Sequence, residues 1–193
     1  MHHIYHTEGI ILGSSDRGES GRYYHIFTRE LGMVRATASG VRKMSSKLRF
    51  ILQDFSYVKI DLVKGRDIWR VTSASKTNTL EQVSKRLETL RVLANISKLL
   101  KRLLPGEEHN ESLFVELIGG LSVLEKSYTK EDLQNVEAII VLRILNNLGY
   151  IGEPETLKDF IASPFLDDIL PRVSAKRSHI LNQINRALKE TQL

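Results

Sequence analysis

The chain has 193 residues, of which 41% are hydrophobic and 26% charged, as is typical of a water-soluble globular protein with one large domain or two small ones. It contains no cysteine, which excludes a disulfide framework, a thiol nucleophile and any cysteine-ligated zinc or iron–sulfur centre. No apolar run approaches the roughly 18 residues that cross a membrane, and the N-terminus lacks the apolar core of a secretion signal. We therefore expect a cytoplasmic protein.

The net charge of +5 is unevenly distributed along the chain. Residues 1–80 hold 13 Lys and Arg against 7 Asp and Glu, whereas residues 81–193 hold 15 against 16. The excess is concentrated between Leu31 and Gln53, a segment that has five cations and no acidic residue. A local field of this sign attracts polyanions and speeds their capture. The segment is therefore a candidate nucleic-acid-binding region.

Strand-like patterns fill the N-terminal part of the chain. Residues 33–39 alternate apolar with polar side chains and residues 56–63 repeat the pattern, which is typical of half-buried strands. Five short strands favour a small closed barrel of the OB-fold type, which often binds oligonucleotides. The predicted elements are strands at 7–13, 22–28, 33–39, 56–63 and 68–73, a turn at 13–18 and a short helix at 45–52.

From residue 80 onward the apolar residues recur every three or four positions, which indicates amphipathic helices. Pro105 and Gly106 separate the first helix from the second. Thr129 is a candidate N-cap, with Asp132 three residues further on. The last predicted helix covers residues 174–189.

These two patterns predict an α+β protein, in which a five-stranded OB-fold barrel precedes an α-helical bundle. We place the nucleic-acid-binding domain at 1–79 and a partner-binding helical domain at 80–193. The sequence contains no phosphate-binding loop, no HExxH and no GxSxG. We therefore expect no enzymatic activity, no cofactor and no metal.

Aromatic residues are interleaved with Arg and Lys in the barrel half. Single-strand binders combine a basic groove with aromatic rings on which bases stack. Phe27 and Phe55 are assigned to the core, and the side of the strand on which Trp69 lies is left open. The candidate DNA-binding residues are Arg22, Arg35, Arg42, Lys43, Lys47, Arg49, Tyr23, Tyr57 and Trp69.

Several segments, in order, resemble the N-terminal part of the bacterial DNA repair protein family RecO. They are the TEGIIL run at 7–12, GES at 18–20, FTRELG at 27–32, ASGVRK at 38–43, SKLR at 46–49 and LQDFS at 52–56. The resemblance implies an OB-fold that binds single- and double-stranded DNA and a helical domain behind it. It also implies annealing of complementary strands and, together with RecR, loading of RecA onto DNA coated by single-stranded DNA-binding protein.

The chain departs from this family in one respect. Many RecO proteins carry a four-cysteine zinc module after the segment that corresponds to Leu148-Gly149-Tyr150, whereas residues 151–157 read IGEPETL here. The chain thus resembles a variant without that module. The resemblance also implies that the helical half receives the acidic, hydrophobic tail of single-stranded DNA-binding protein in a groove beside a cation. The candidate cations are Lys98, Arg102 and Arg143.

Three other interpretations of the residues remain open; one is a metal-dependent enzyme, which activity with and without a chelator would test. The barrel could be an RNA-binding module that acts in translation or transcription, which competition between DNA and RNA of one sequence would reveal because only RNA has a 2′-hydroxyl group. The chain could also be a protein scaffold whose basic segment only keeps it in solution. Absence of nucleic-acid binding at physiological salt would favour the scaffold.

Overall fold

The structure is a computed structural model that describes residues 3–77, 79–127, 129–152, 154–165 and 169–190. Its N-terminal half is the predicted five-stranded barrel. The elements are β1 (Ile4–Arg17), β2 (Gly21–Thr28), β3 (Gly32–Ala38), the short helix α1 (Leu48–Ile51), β4 (Tyr57–Lys64) and β5 (Trp69–Lys76). Strand order β1-β2-β3-β5-β4 closes the barrel, with β3 and β5 parallel and the other neighbours antiparallel.

The first strand is longer than the sequence pattern indicated, and the turn predicted at 13–18 is wrong. The β1–β2 register shifts between Ile11 and Gly13, so a bulge carries the strand on to Arg17. Such a bulge bends a strand without ending it, which is why the polar run after Gly13 remains in the sheet. The actual reversal lies at Gly18-Glu19-Ser20, where Gly18 has a φ of 56°.

Alternating side chains fill the barrel interior, as the period of two predicted. Val34, Ala36 and Ala38 of β3 are buried, and so are Val58, Ile60 and Leu62 of β4. Trp69, whose side the sequence left open, points inward and is 3% exposed. This apolar interior leaves the outward-facing residues and the barrel ends for binding.

The C-terminal half consists of helices, as predicted. Thr129 caps the helix that begins at Lys130, since its hydroxyl accepts a hydrogen bond from the Asp132 backbone N–H at 3.0 Å. The last helical segment begins five residues before the predicted start and is kinked at Lys176, whose φ of −116° and ψ of 16° are not helical. Pro171 lies in its first turn, where proline is tolerated. The elements are α2 (Leu87–Leu103), α3 (Glu111–Lys126), α4 (Lys130–Asn147), a 3-10 turn at Pro154–Leu157, α5 (Lys158–Ile161) and α6 (Ile169–Glu190).

Part of the barrel packs into the apolar core of the helices, beside a second cluster that fills the barrel interior. Phe27 of β2 and Phe114 of α3 are both buried with ring centroids 5.5 Å apart, and Tyr57 of β4 lies 6.2 Å from Phe114. Ile10 and Leu12 belong to the same cluster as the helix leucines. The two parts of the chain are therefore in contact through apolar side chains. Their division into two domains at residue 80 stays a prediction. Among the described helices, none is long and apolar enough to span a bilayer.

Candidate nucleic-acid interface

A cleft of about 580 Å³ opens at one end of the barrel, between β2 and the segment that carries the predicted cations. The β3–α1 loop folds onto the β1–β2 reversal, where the Arg42 backbone N–H donates to the Ser20 carbonyl at 2.9 Å. Buried Tyr24, Val41 and Leu52 form the apolar part of the wall. We call this the basic cleft; its polar lining is Arg22, Arg42, Arg49, Gln53 and Asp54.

Asp16 orients two of the cleft arginines. Its Oδ1 lies 3.1 Å from Arg22 Nε and its Oδ2 lies 3.1 Å from Arg42 Nη1. Arg42 also donates to the Gly18 carbonyl at 3.3 Å. All three side chains are partly exposed, so these ion pairs add little to the stability of the fold. Their main effect is to orient the two guanidinium groups.

Three further cations, carried by the segment from the end of β3 through α1, have no acidic partner. Lys43, Lys47 and Arg49 are exposed, and none forms an ion pair with any residue that the structure describes. Arg49 Nη1 instead lies 2.8 Å from the sulfur of Met44. Phosphates that approach here would meet charges that are not already neutralised.

Tyr24 supplies a neutral phenol to the cleft wall. The side chain is 1% exposed, and burial raises its pKa to about 12, with nearby Arg22 opposing and Asp54 assisting that shift. The hydroxyl therefore stays protonated at neutral pH. A protonated hydroxyl can donate a hydrogen bond, whereas a phenolate would repel a phosphate.

Arg35 does not belong to the cleft. It lies on β3 opposite His25 of β2 and faces outward, towards the end of α2. Burial lowers the pKa of His25, and neighbouring Arg35 and Lys101 lower it further. The structure thus separates Arg35 from the other five predicted cations, Arg22, Arg42, Lys43, Lys47 and Arg49.

Two of the three predicted stacking residues are engaged elsewhere. Trp69 is buried, and its Nε1 donates to Glu107 at 2.8 Å. Tyr57 packs against Phe114 and donates its hydroxyl to Glu8 at 2.7 Å, and burial followed by this bond raises its pKa. Trp69 therefore has no ring face open to a base, and the predicted stacking role does not fit it. The stacking role of Tyr57, which is half-buried, stays a prediction.

Open ring surface is found at two other places. Tyr23 is half-buried on β2, with the Arg17 guanidinium carbon 5.2 Å from its ring centroid. Phe50 on α1 is 61% exposed beside the cleft cation Arg49. Phe50 was not among the residues predicted from the sequence to bind DNA. Its position beside Lys47 and Arg49 could have indicated that the ring is exposed, because a buried ring is rarely flanked by so many charges.

The predicted partner-binding cations also divide. Lys98 and Arg102 are exposed on α2. Arg143 is 5% exposed on the central helix α4, donates to the carbonyls of Phe160, at 2.9 Å, and of Ser163, and lies over the Phe165 ring. Its guanidinium stabilises the segment after α4, so the role of an open cation for a partner's tail does not fit it.

No cluster of three or more metal-ligating side chains occurs in the ranges that the structure describes. The whole chain has no cysteine, which fits a variant without the four-cysteine zinc module. Where that module would follow α4, this chain has the 3-10 turn Pro154–Leu157 and the short helix α5.

The family model and the relatives that match this chain agree on one family. Residues 1–80, the whole barrel, match the model of the recombination protein O N-terminal domain. The DNA repair protein RecO of Desulfitobacterium hafniense is 31% identical over 148 residues, covering 76% of this chain and 52% of that protein. RecO of Rubrobacter xylanophilus is 31% identical over 147 residues, covering 76% and 58%. The chain thus spans about half the length of the curated relatives it matches.

Proposed function

This chain belongs to the RecO family of DNA repair proteins, and from that premise we propose that it serves repair and recombination by binding DNA in the basic cleft and annealing complementary strands. The observation that carries the proposal is a cleft with an apolar wall and three arginines in its lining, beside the exposed Lys43 and Lys47 of the segment that joins β3 to α1. A groove of this composition suits a single strand, whose phosphates need charge and whose bases need apolar or aromatic surface.

Annealing follows from charge rather than from bond chemistry. A cationic surface screens the repulsion between two strands and raises their local concentration. Double-stranded DNA would be held through its phosphates by the same cations. No covalent bond is made or broken in this scheme, so the proposed role is that of a mediator and not of an enzyme.

The proposed partners rest on the family alone. They are RecR, with which RecA would be loaded, and the tail of single-stranded DNA-binding protein. The helical part of the chain, residues 80–193, would carry the partner contacts. Of the three cations considered for the tail, Lys98 and Arg102 retain the exposure that an acidic peptide requires.

Salt dependence tests the cleft. We expect the affinity for a single-stranded oligonucleotide to fall steeply between about 50 and 200 mM salt, because bound phosphates release counterions. Replacing Arg42, Lys43 and Lys47 by Ala should flatten the slope of log affinity against log salt by about 2, at about 0.7 per lost contact. Fluorescence anisotropy titrations at several salt concentrations measure both quantities.

The matched control removes three exposed lysines of the helical half, Lys126, Lys130 and Lys189. It changes the net charge equally and should leave the slope nearly unchanged. If both triple variants flatten the slope alike, DNA senses only the overall charge and the cleft is not the site.

A further inference from the structure

Met44 carries a thioether on the surface, beside the basic cleft. Its side chain is 83% exposed, the largest value among the exposed large hydrophobic residues that the structure describes. It lies in the segment that joins β3 to α1, between the cleft arginines Arg42 and Arg49 in the sequence. The chain has three methionines and no cysteine. Any oxidation at sulfur therefore takes place at a methionine.

The Met44 sulfur holds the side chain of a cleft arginine. Arg49 lines the cleft, and its Nη1 donates to the Met44 sulfur over 2.8 Å. Within the described ranges of the chain, this sulfur is the only hydrogen-bond acceptor of the Arg49 side chain, which forms no ion pair there. A thioether sulfur is a weak acceptor. A phosphate oxygen can therefore displace it and take over the guanidinium.

Met33 provides the contrast within the same chain. It is 6% exposed on β3 and packs in the core cluster that includes the helix leucines. A dissolved peroxide has to reach a sulfur atom to react with it, so Met33 is shielded and Met44 is not. Met1 lies outside the described residues. Of the two described methionines, Met44 is the one that an oxidant in solution can reach.

Oxidation of a thioether by a peroxide is a transfer of one oxygen atom. A lone pair of the sulfur forms the new S–O bond while the O–O bond of hydrogen peroxide breaks. The second oxygen leaves as water after a proton shift, so the sulfur loses two electrons and the peroxide gains them. The product is a sulfoxide, which is polar and which methionine sulfoxide reductases return to the thioether.

The change from sulfur to sulfoxide alters the competition for Arg49. A sulfoxide oxygen is a stronger acceptor than a thioether sulfur, and a hydrogen bond from a charged donor is about twice as strong as a neutral one. The guanidinium of Arg49 would then be engaged by its own chain. A phosphate would have to break that bond before binding. The charge of the cleft is unchanged, so the effect comes from the position of one cation.

We propose that Met44 is a reversible oxidation site, at which a peroxide lowers the affinity of the basic cleft for DNA by engaging Arg49. The proposal rests on the proposed function, since it assumes that the cleft binds DNA. It adds a form of regulation to that cleft. The chain would bind DNA less tightly under oxidising conditions and recover when the sulfoxide is reduced.

Peptide mass mapping tests the site itself. The folded full chain is treated with dilute hydrogen peroxide, and the gain of one oxygen is followed over time in the peptides that carry Met44 and Met33. We expect Met44 to be oxidised at least about tenfold faster than Met33, because only its sulfur is accessible. Oxidation of Met33 at the same rate or faster would overturn the assignment of Met44 as the site.

Fluorescence anisotropy with a single-stranded oligonucleotide tests the consequence. We expect oxidation to weaken binding about three- to tenfold, the equivalent of one net hydrogen bond, and to flatten the slope of log affinity against log salt by about 0.7. Treatment with the two methionine sulfoxide reductases, one for each sulfoxide epimer, should restore both values. A thermal melt before and after oxidation verifies that the fold is intact.

Two variants assign the effect to this pair of side chains. Met44→Leu keeps a similar volume without an oxidisable sulfur, so peroxide should leave its DNA affinity as it was before treatment. In Arg49→Ala, Met44 should still be oxidised, but the affinity should no longer change on oxidation. Met44→Gln places an amide oxygen where the sulfoxide oxygen would be and should lower the affinity without any oxidant.

The failures are distinguishable. If the unoxidised chain binds no oligonucleotide, the proposed function fails and the regulation fails with it, whereas mass mapping still decides whether Met44 is the oxidation site. If the chain binds DNA equally well before and after complete oxidation of Met44, the cleft stands and the regulation is wrong. Equal loss of affinity in Met44→Leu on peroxide treatment would also overturn the proposal, because another residue would then be responsible.

Discussion

Replacing Phe114 by Ala is expected to lower the free energy of unfolding by about 3–5 kcal/mol, the usual cost of truncating a fully buried phenylalanine. Phe114 is 1% exposed on α3 and packs against Phe27 and Tyr57 of the barrel. The cavity would lie where the two halves of the chain meet. The backbone around this cavity belongs to both the sheet and a helix, so the surrounding structure cannot easily move inward to fill the cavity.

Chemical denaturation followed by two probes measures this effect. The single tryptophan, Trp69, reports on the barrel through its fluorescence, and far-UV circular dichroism reports mainly on the helices. Because the helical core extends into β1, β2 and β3 of the barrel, both probes should give one coincident transition, at lower denaturant in the variant.

The matched control is Phe50→Ala, which removes the same atoms from a side chain that is 61% exposed. It should change stability by no more than about 0.5 kcal/mol. Equal losses in the two variants, or separate transitions for the two probes in the unaltered protein, would contradict a common core.

Gly32→Ala is expected to be the second large destabilisation, at about 2–4 kcal/mol from overpacking and left-handed backbone strain together. Gly32 begins β3 with a φ of 70°, and a Cβ there would lie 2.2 Å from the Glu108 carbonyl oxygen and 2.8 Å from its nitrogen. These are backbone atoms, so no side-chain rotation relieves the clash. The α2–α3 connection would have to leave the barrel, which also breaks the Met33 N–H bond to Gly106.

Two other glycines separate the causes of this loss. Gly18 has a φ of 56° but open space around it, so Gly18→Ala should cost only about 1 kcal/mol of backbone strain. Gly106 has neither a positive φ nor a neighbour within 4 Å, so Gly106→Ala should be nearly neutral. Thermal unfolding of the three variants ranks their losses of stability. If Gly32→Ala loses no more stability than Gly18→Ala, the α2–α3 connection does not press on β3.

The strands were predictable because alternation is a local property of the sequence. The pattern at 33–39 identified Val34, Ala36 and Ala38 as interior residues, and the same pattern implies that Arg35 faces the opposite side. The end of β1 was not predictable in this way. A bulge at Gly13 preserves the pairing of a polar segment that otherwise has the composition of a turn.

The candidate site was predictable only in part. Arg42, Lys43, Lys47 and Arg49 lie close together in the sequence and stay together because one short loop and helix carry them. Trp69 packs in the barrel interior, but the acceptor of its indole N–H is Glu107, almost 40 residues away, so this contact could not be predicted from local pattern. Such a contact between the barrel and the α2–α3 connection is fixed only when the two halves pack.

The most direct test of the central claim is the rate at which complementary oligonucleotides anneal, followed by fluorescence energy transfer between labelled strands. We expect the chain to accelerate annealing at low salt, and we expect the Arg42, Lys43, Lys47 triple alanine variant to lose at least about tenfold of that acceleration through lost phosphate contacts. The Lys126, Lys130, Lys189 triple variant should retain it. Equal rates with the cleft variant and the unaltered chain would contradict the claim that the basic cleft brings DNA strands together.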